Sequence, residues 1–323
     1  MAGEYTLVSD VEPQLRLTLD TRDMGVLMAS AQKDEPVNWS AVKEVYEKGR
    51  NSKRGDGSFR TLAGVAINPA VLAQFPNGAQ VFGTPSFLDA NVRPALEGTG
   101  RSRGLSDRAR RQIVEKGVLA ILYGETLEEL EAARSKVQQG NVDNARGAPH
   151  NVDEAWAYYA GAQESDGSRP HALSITAQRR ERGFKLEGKL DSPLQRALAS
   201  ALGAAQRSDL NALDTAIGQV RGYLNSIFYL ASLGYASRLS GDTDVSVREV
   251  HLSEGWGFFQ TIRPTVATAS SDAAASVEAL YTRPASRPVT DGDVHRVYGA
   301  LNGANVVRAL AIPSSLVVKA PPP

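Results

Sequence analysis

The sequence lacks several features that would have indicated a function at once. Cysteine is absent from all 323 residues, which excludes disulfides, thiolate metal sites and a cysteine nucleophile. A basic excess is also absent, because Lys+Arg and Asp+Glu both number 36 and the formal net charge is zero. We therefore expect no nucleic-acid partner. No apolar run approaches the roughly 20 residues of a membrane span, so we expect no membrane insertion.

The first ten residues, MAGEYTLVSD, lack the basic start and the apolar core of a signal peptide. Two interpretations stay open on this evidence, a cytosolic protein and the mature chain of an exported protein. The absence of cysteine does not decide between them, since a chain of this size does without disulfides in either compartment.

The sequence does contain helical periodicity. Its 42% hydrophobic and 22% charged residues are typical of a globular protein. Apolar residues recur at helical intervals, whereas strand-like alternation is hard to find. We therefore predict an all-α fold, a helical bundle. Between residues 50 and 100, Gly and Pro punctuate the chain and predict loops and short helices. The longer predicted helices are 10–32, 38–49, 105–124, 126–140, 192–206, 210–239, 270–284 and 293–312.

Two of these boundaries depend on capping chemistry. Ser106 is the predicted N-cap of a helix that ends near Gly124. Thr126 is the predicted N-cap of a separate helix, because two glutamates follow it in the first turn and Gly140 closes the stretch. The stretch 293–312 is predicted as a single closing helix.

One small pattern occurs twice in the chain. PHNVDEAWAYYAG covers Pro149–Gly161, and VHLSEGWGFFQT covers Val250–Thr261. When Glu154 is placed on Glu254, a tryptophan falls on a tryptophan and an aromatic pair on an aromatic pair. A histidine precedes each glutamate by three or four residues. The chain has only four histidines and three tryptophans, so their concentration in these copies calls for an explanation.

The doubling extends to the apolar helix before each copy, since VLAILYG at 118–124 resembles part of LNSIFYLASLG at 224–234. We interpret this as an internal pseudo-repeat. The predicted organisation is a first helical half over residues 1–165 with the motif, and a second half over residues 166–323 with its echo.

The motif residues are candidate metal ligands. Residues three or four apart share one face of a helix, so His150 and Glu154 would present an imidazole nitrogen and a carboxylate to one point. His251 and Glu254 offer the same pair in the second copy, and Asp153 is a further carboxylate. Helical bundles build iron and manganese sites from comparable units. Nitrogen and oxygen ligands without thiolates suit iron or zinc.

Tyr158 and Tyr159 are candidates to donate hydrogen bonds to a bound anion or to supply a phenolate to ferric iron. The alternative is that the motif serves packing, with its aromatic residues in the core and His150 capping the helix directly after Pro149. Both interpretations stay open on the residues alone.

Other acidic pairs and enzymatic signatures add little. Three glutamate pairs one turn apart have the spacing for a hard cation, but we assign them a structural role, since acids near a helix start offset its dipole. The chain has no His-Glu-x-x-His, no phosphate loop, no Gly-x-Ser-x-Gly elbow and no dinucleotide fingerprint. The three pairs are Glu44–Glu47, Glu125–Glu128 and Glu128–Glu131.

The chain resembles the Fe-assimilating proteins of green algae. The resemblance rests on the stretch HNVDEAWAYYAG, on the Ala/Leu-rich helix that follows it, and on the later segments IFYLASLGYASRL and HLSEGWGFF. The Fe-assimilating proteins are periplasmic proteins induced by low iron. The resemblance covers nearly the whole chain, and the motif at 150–161 is its most specific part. The motif is also similar to a segment of bacterial imelysin-like helical proteins, which are associated with periplasmic iron uptake.

The resemblance implies a non-enzymatic protein, periplasmic or extracellular, that binds Fe3+ or Fe2+ and concentrates it for high-affinity uptake. Carried onto this chain, the motif positions are His150, Asp153 and Glu154. The second-half candidates are His251 and Glu254. A synergistic anion such as bicarbonate is an expected companion of the iron, and a plasma-membrane iron oxidase/permease or reductase system is its expected recipient. The alternatives are an imelysin-like metallopeptidase and a metal-free helical interaction protein.

Overall fold

The computed structural model describes residues 5–321, and over that range the predicted all-α fold is confirmed. No strand forms within these residues, where Lys53 and Phe59 make an isolated antiparallel bridge. Short 3-10 helices cover Ala29–Lys33, Gly100–Ser102 and Ser314–Leu316. The α-helices are α1 (Glu12–Leu27), α2 (Trp39–Lys48), α3 (Leu62–Ala66), α4 (Pro69–Leu72), α5 (Gly78–Phe82), α6 (Phe87–Glu97), α7 (Asp107–Gln138), α8 (Ala148–Ala160), α9 (Leu173–Phe184), α10 (Asp191–Gln206), α11 (Leu210–Leu239), α12 (Val245–Ala269), α13 (Ser271–Tyr281), α14 (Asp291–Leu301) and α15 (Ala304–Ala309).

The long helices α7, α11 and α12 pack against one another and form the centre of the bundle. A series of ring contacts crosses this centre, from Phe75 to Tyr123 at 5.3 Å, on to Phe228 at 5.5 Å, then to Phe258 at 6.2 Å and Tyr235 at 5.8 Å. Large aromatic side chains bury much apolar surface each, so this series accounts for the close packing of the three helices. Helix α8 lies against α7 and α10 on one side, and α13 against α12 on another.

The predicted break near Gly124 is wrong, because α7 runs without interruption from residue 107 to 138. Thr126 does not cap a helix; its buried hydroxyl donates to the carbonyl of Leu122 at 2.8 Å. Gly124 is tolerated inside the helix for a packing reason. A Cβ at that position would lie 2.7 Å from a methyl carbon of Val71 and 2.9 Å from the ring of Phe75.

The predicted single helix at 293–312 is also wrong, since the chain forms α14 and then α15 with a break at Asn302 and Gly303. The Asn302 side chain explains the break. Its amide donates to the carbonyls of Tyr298 and Val318 at 2.9 Å, and its oxygen accepts from the Tyr229 hydroxyl at 2.9 Å. An asparagine bonded to backbone carbonyls competes with helix continuation.

Other boundary predictions have simpler outcomes. The loops and short helices expected between residues 50 and 100 are present as α3 to α6, and α1 ends at Leu27 with a 3-10 turn after it. The boundary at 165/166 falls between α8 and α9. Helices from both sides of it share the central core, and the division into halves and the pseudo-repeat stay predictions. Within residues 5–321, no helix combines the length and hydropathy that crossing a membrane requires.

Candidate functional site: a buried carboxylate cluster

His150 and Asp153 of α8 both contact the N-terminal segment. His150 Nδ1 lies 2.9 Å from the hydroxyl oxygen of Ser9. Asp153 is fully buried. One of its oxygens accepts from the Tyr5 hydroxyl at 2.8 Å, and the other accepts from the backbone N–H groups of Val8 and Ser9 and from the Ser9 hydroxyl at 2.7 to 2.9 Å. Four donors satisfy this carboxylate, so it anchors residues 5–9 to α8.

Glu154 connects three helices. Its Oε1 accepts from the side-chain amide of Gln14 on α1 and lies 3.4 Å from Nε2 of His150. Its Oε2 accepts from the side-chain amide of Asn151 at 3.1 Å. The same Asn151 nitrogen donates to Glu129 Oε2 on α7 at 2.5 Å. Two carboxylates from facing helices thus share one donor.

Three glutamates of α7 face this point, because Glu125, Glu128 and Glu129 are spaced by three and four residues and share one side of the helix. We call these three residues and Glu154 the carboxylate cluster. Burial, reinforced by the negative charge of Glu128, raises the pKa of Glu125 to about 7. Burial and the charge of Glu154 raise the pKa of Glu128, and they hold that of Glu129 well above its ordinary value. Buried like charges disfavour one another's ionisation.

Three oxygens in the cluster or beside it lack a donor. Gln14 Oε1, Asn151 Oδ1 and Glu125 Oε2 are buried and have no hydrogen-bond partner among the described residues. A buried acceptor without a partner costs about 1–3 kcal/mol. None of the three α7 carboxylates forms an ion pair with a Lys or Arg of residues 5–321. Carboxylate and amide oxygens with excess negative charge are the donor set that hard cations prefer.

The cluster is not arranged as a finished coordination sphere. Nowhere in residues 5–321 do three or more His, Asp or Glu side chains converge in a way that would hold a metal ion. Glu129 and Glu154 are instead held by hydrogen bonds to Asn151. Metal binding at this point therefore requires side-chain rotations that bring the carboxylates together.

Tyr158 and Tyr159 diverge from each other. Tyr158 is buried beside the cluster, where burial and the charge of Glu125 hold the pKa of its hydroxyl well above the ordinary value. Tyr159 is also buried, and its hydroxyl donates to Asp191 at the start of α10. Of the two, only Tyr158 lies where its hydroxyl faces cluster carboxylates, and it does so as a neutral phenol. The role of both tyrosines toward a ligand stays a prediction.

The second copy of the motif, on α12, has different partners. His251 Nδ1 lies 2.8 Å from an oxygen of Asp242, and its ring is 5.9 Å from that of Tyr235. Glu254 forms an ion pair with Lys116, whose Nζ lies 3.0 Å from Oε1 of the glutamate. The histidine and the glutamate of this copy are therefore held by separate groups, in contrast to the contact between His150 and Glu154.

The two motif tryptophans have a common environment. Trp156 stacks on Tyr5 at 5.2 Å, and the guanidinium of Arg169 lies over its ring at 5.5 Å. Trp256 is covered in the same way by Arg101 at 4.8 Å. A cation over an indole face contributes a modest stabilisation. The recurrence of tryptophan in the motif therefore has a packing explanation in both copies.

Sequence reasoning missed Gln14, Asn151 and the contribution of Glu129, and it gave the Glu125–Glu128 pair a structural role. One signal was available. The run YGETLEELE directly follows the apolar part of the predicted helix. Its glutamates are spaced by three and four residues, so they lie on the same helix face as the buried apolar residues one turn earlier. No local sequence pattern indicated that the glutamates of α7 would lie next to Gln14 of α1 and Asn151 of α8.

Comparison with known proteins gives one match. A family model described as low iron-inducible periplasmic protein matches residues 1–218, which is 218 of the 323 residues. The matched part contains α1, α7 and α8 and therefore the whole carboxylate cluster, whereas His251 and Glu254 lie beyond it. No curated protein and no solved structure matches the chain.

Proposed function

This chain belongs to the family of low iron-inducible periplasmic proteins, and from that premise we propose that it binds iron outside the plasma membrane and concentrates it for high-affinity uptake. The family description concerns induction and location. Iron binding by this chain, and the identity of the residues that bind, are our proposal. The proposed role is non-enzymatic, and a plasma-membrane iron oxidase/permease or reductase system is the proposed recipient.

The observation that carries the proposal is the carboxylate cluster. Four glutamates lie together at the contact of α7 and α8, and the pKa values of three of them are raised by burial and by one another. Such an arrangement destabilises the fold unless something offsets the negative charge. Iron is the cation that the family description favours, and carboxylates from facing helices are a usual way to bind it.

The residues take separate roles in this proposal. Glu125, Glu129 and Glu154 supply carboxylate oxygens to iron. His150, 3.4 Å from Glu154, is positioned to add an imidazole nitrogen. Asp153 positions α8, because all its hydrogen-bonding capacity goes to residues 5–9. Since carboxylates must lose their protons to bind iron, binding releases protons and strengthens as the pH rises through the raised pKa of Glu125.

Calorimetric titration of the metal-free protein tests the proposal, with ferrous iron under anaerobic conditions, ferric iron as a weak chelate, and zinc in parallel. We expect saturable iron binding by the wild-type chain. Because each substitution removes a proposed carboxylate ligand, Glu154→Gln and Glu129→Gln are expected to lower the affinity at least about tenfold. His150→Ala reports whether the imidazole contributes.

Matched controls are Glu12→Gln, at an exposed carboxylate paired with Arg16 on α1, and His295→Ala, at an exposed histidine of α14. Neither change is expected to alter iron affinity. Thermal unfolding of each variant separates loss of binding from loss of fold. Iron binding unaffected by both cluster variants, or absent from the wild-type protein, would overturn the proposal. Chelator-sensitive peptide hydrolysis would contradict the non-enzymatic role.

A further inference from the structure

A second polar site lies in a cavity of about 490 Å³ enclosed by α1, α7, α9, α11 and α12. Its lining on α7 is limited to residues between Val114 and Leu119, so the glutamates of the carboxylate cluster do not take part. Its volume falls within the roughly 300–1,000 Å³ of small-molecule sites. Apolar side chains form part of the wall, including Met24, Met28 and Phe258.

The charge in this cavity is opposite to that of the carboxylate cluster. Two carboxylates line it, and Lys116 Nζ lies 3.0 Å from each of them, Glu115 and Glu254. Burial by itself would raise the pKa of Glu115, but the charges of Lys116 and Arg111 outweigh burial and bring that pKa to about 2. Lys116 and its two acids therefore form one ionic group, and Arg111 brings it to a net charge of zero through an ion pair with Glu115 at 2.7 Å.

Four further arginines line the cavity, of which one, Arg180, is largely enclosed and the other three are exposed to solvent. Within the described chain none of them forms an ion pair, although all four line the cavity. Together with Lys116, Glu115 and Glu254, they give the lining residues a net charge of +3, from five cations and two carboxylates, with His171 neutral because burial lowers its pKa. These arginines are Arg179, Arg180 and Arg182 of α9 and Arg238 of α11.

Arg180 is the most enclosed of the four. Its guanidinium carbon lies 5.6 Å from the ring centre of Tyr235 and 5.7 Å from that of Phe258, and its Nε has no hydrogen-bond partner among residues 5–321. Arg238 covers Tyr235 from another side at 5.0 Å. Burial lowers the pKa of Arg180, which means that the fold holds this charge at a cost. An anion in the cavity offsets that cost.

We propose that this cavity binds a small organic anion that carries at least two carboxylate or phosphate groups. Guanidinium groups recognise both kinds of oxyanion through paired N–H donors. The apolar wall accommodates a carbon skeleton, which inorganic phosphate lacks. The inference goes beyond the proposed iron function and does not depend on it, since the cavity and the carboxylate cluster share no residues.

Calorimetric titration of the full chain in metal-free buffer tests this proposal, with citrate, fructose 1,6-bisphosphate and inorganic phosphate as separate ligands. We expect saturable binding of citrate or of the bisphosphate at one molecule per chain, and the stronger of the two identifies the oxyanion. Binding is expected to weaken as salt rises. Arg180→Gln and Arg238→Gln are each expected to lower the affinity at least about tenfold.

Arg287→Gln, at an exposed arginine outside the cavity, is the matched control and is expected to bind as the wild type does. If Arg180→Gln fails to fold, the exposed Arg179→Gln and Arg182→Gln take its place. Three results would each overturn the proposal: no binding of either organic anion, inorganic phosphate binding as tightly as both, or full affinity in all cavity variants. Because iron is absent from the experiment, its outcome is independent of the iron titration.

Discussion

Glu129 of α7 and Glu154 of α8 share a single hydrogen-bond donor, the side-chain amide nitrogen of Asn151, at 2.5 and 3.1 Å respectively. Burial and the negative charge of Glu154 together hold the pKa of Glu129 well above its ordinary value. One amide group thus holds together two acids that would otherwise repel each other. The first prediction follows from this relationship.

Glu129→Gln is expected to stabilise the metal-free protein at pH 8 by about 1–2 kcal/mol, because it removes a buried charge while its amide oxygen still accepts from Asn151. Urea denaturation measures the free energy of unfolding. Glu12→Gln, which breaks an exposed ion pair with Arg16, is the control and is expected to change the stability by less than about 0.5 kcal/mol. A clear destabilisation by Glu129→Gln would contradict the repulsion argument.

The raised pKa of Glu125 makes the stability of the protein depend on pH. Burial raises this pKa from an ordinary 4.5 to about 7 in the folded chain, so between these pH values the folded state retains a proton that the unfolded state has lost. The stabilisation that this retained proton gives the folded state is fully present below pH 4.5 and is lost as the pH rises through about 7. The free energy of unfolding falls by about 3 kcal/mol over this interval.

Urea denaturation of the metal-free protein at pH values from 5 to 8 measures this fall. Glu125→Gln is expected to make the profile less steep over that interval, since the amide does not titrate while Glu128 and Glu129 still do, and Glu12→Gln is expected to leave it unchanged. An identical profile for the wild type and Glu125→Gln would show that another group is responsible.

Asp153→Asn is expected to destabilise the protein by about 3 kcal/mol. The substitution removes the charge that receives four hydrogen bonds and directs an amide N–H at donors of Val8 and Ser9. Hydrogen exchange is expected to accelerate selectively in residues 5–9. Asp166→Asn, in the exposed loop before α9, serves as the control, and unchanged exchange in the N-terminal segment would refute the anchoring role.

Gly124→Ala is expected to destabilise the protein by about 1–3 kcal/mol, because the new methyl group meets Val71 and Phe75 within 3 Å. Gly218→Ala, on the exposed side of α11 where a Cβ has no neighbour within 4 Å, is expected to stabilise it by about 0.5–1 kcal/mol. Thermal unfolding compares the two directly. Opposite signs are the expected outcome, and equal stabilisation by both would show that α7 is loosely packed there.

The two wrong helix boundaries have different causes. Thr126 is followed by acids as an N-cap would be, yet it lies in the middle of α7, where its hydroxyl bonds the carbonyl four residues earlier. Packing of Gly124 against Val71 and Phe75 makes the helix continuous there. At Asn302 the local sequence already contained a stop signal, the dipeptide Asn302-Gly303, and the contacts of Asn302 to Tyr229 and Val318 reinforce it. Only at Thr126 do contacts from distant residues outweigh the local preference.

The sequence by itself determined the all-α fold, the position of the motif helix and the absence of thiolate chemistry, because helical periodicity and composition are local properties. It also directed attention to His150 and Glu154, which the fold brings to within 3.4 Å. Only the tertiary structure decided that Glu154 meets Glu129 across α7 and α8, that Gln14 of α1 donates to Glu154, and that Glu254 pairs with Lys116 instead. Such convergence depends on how three or more helices pack, and a side chain's partner across a packed interface has no fixed spacing in the sequence.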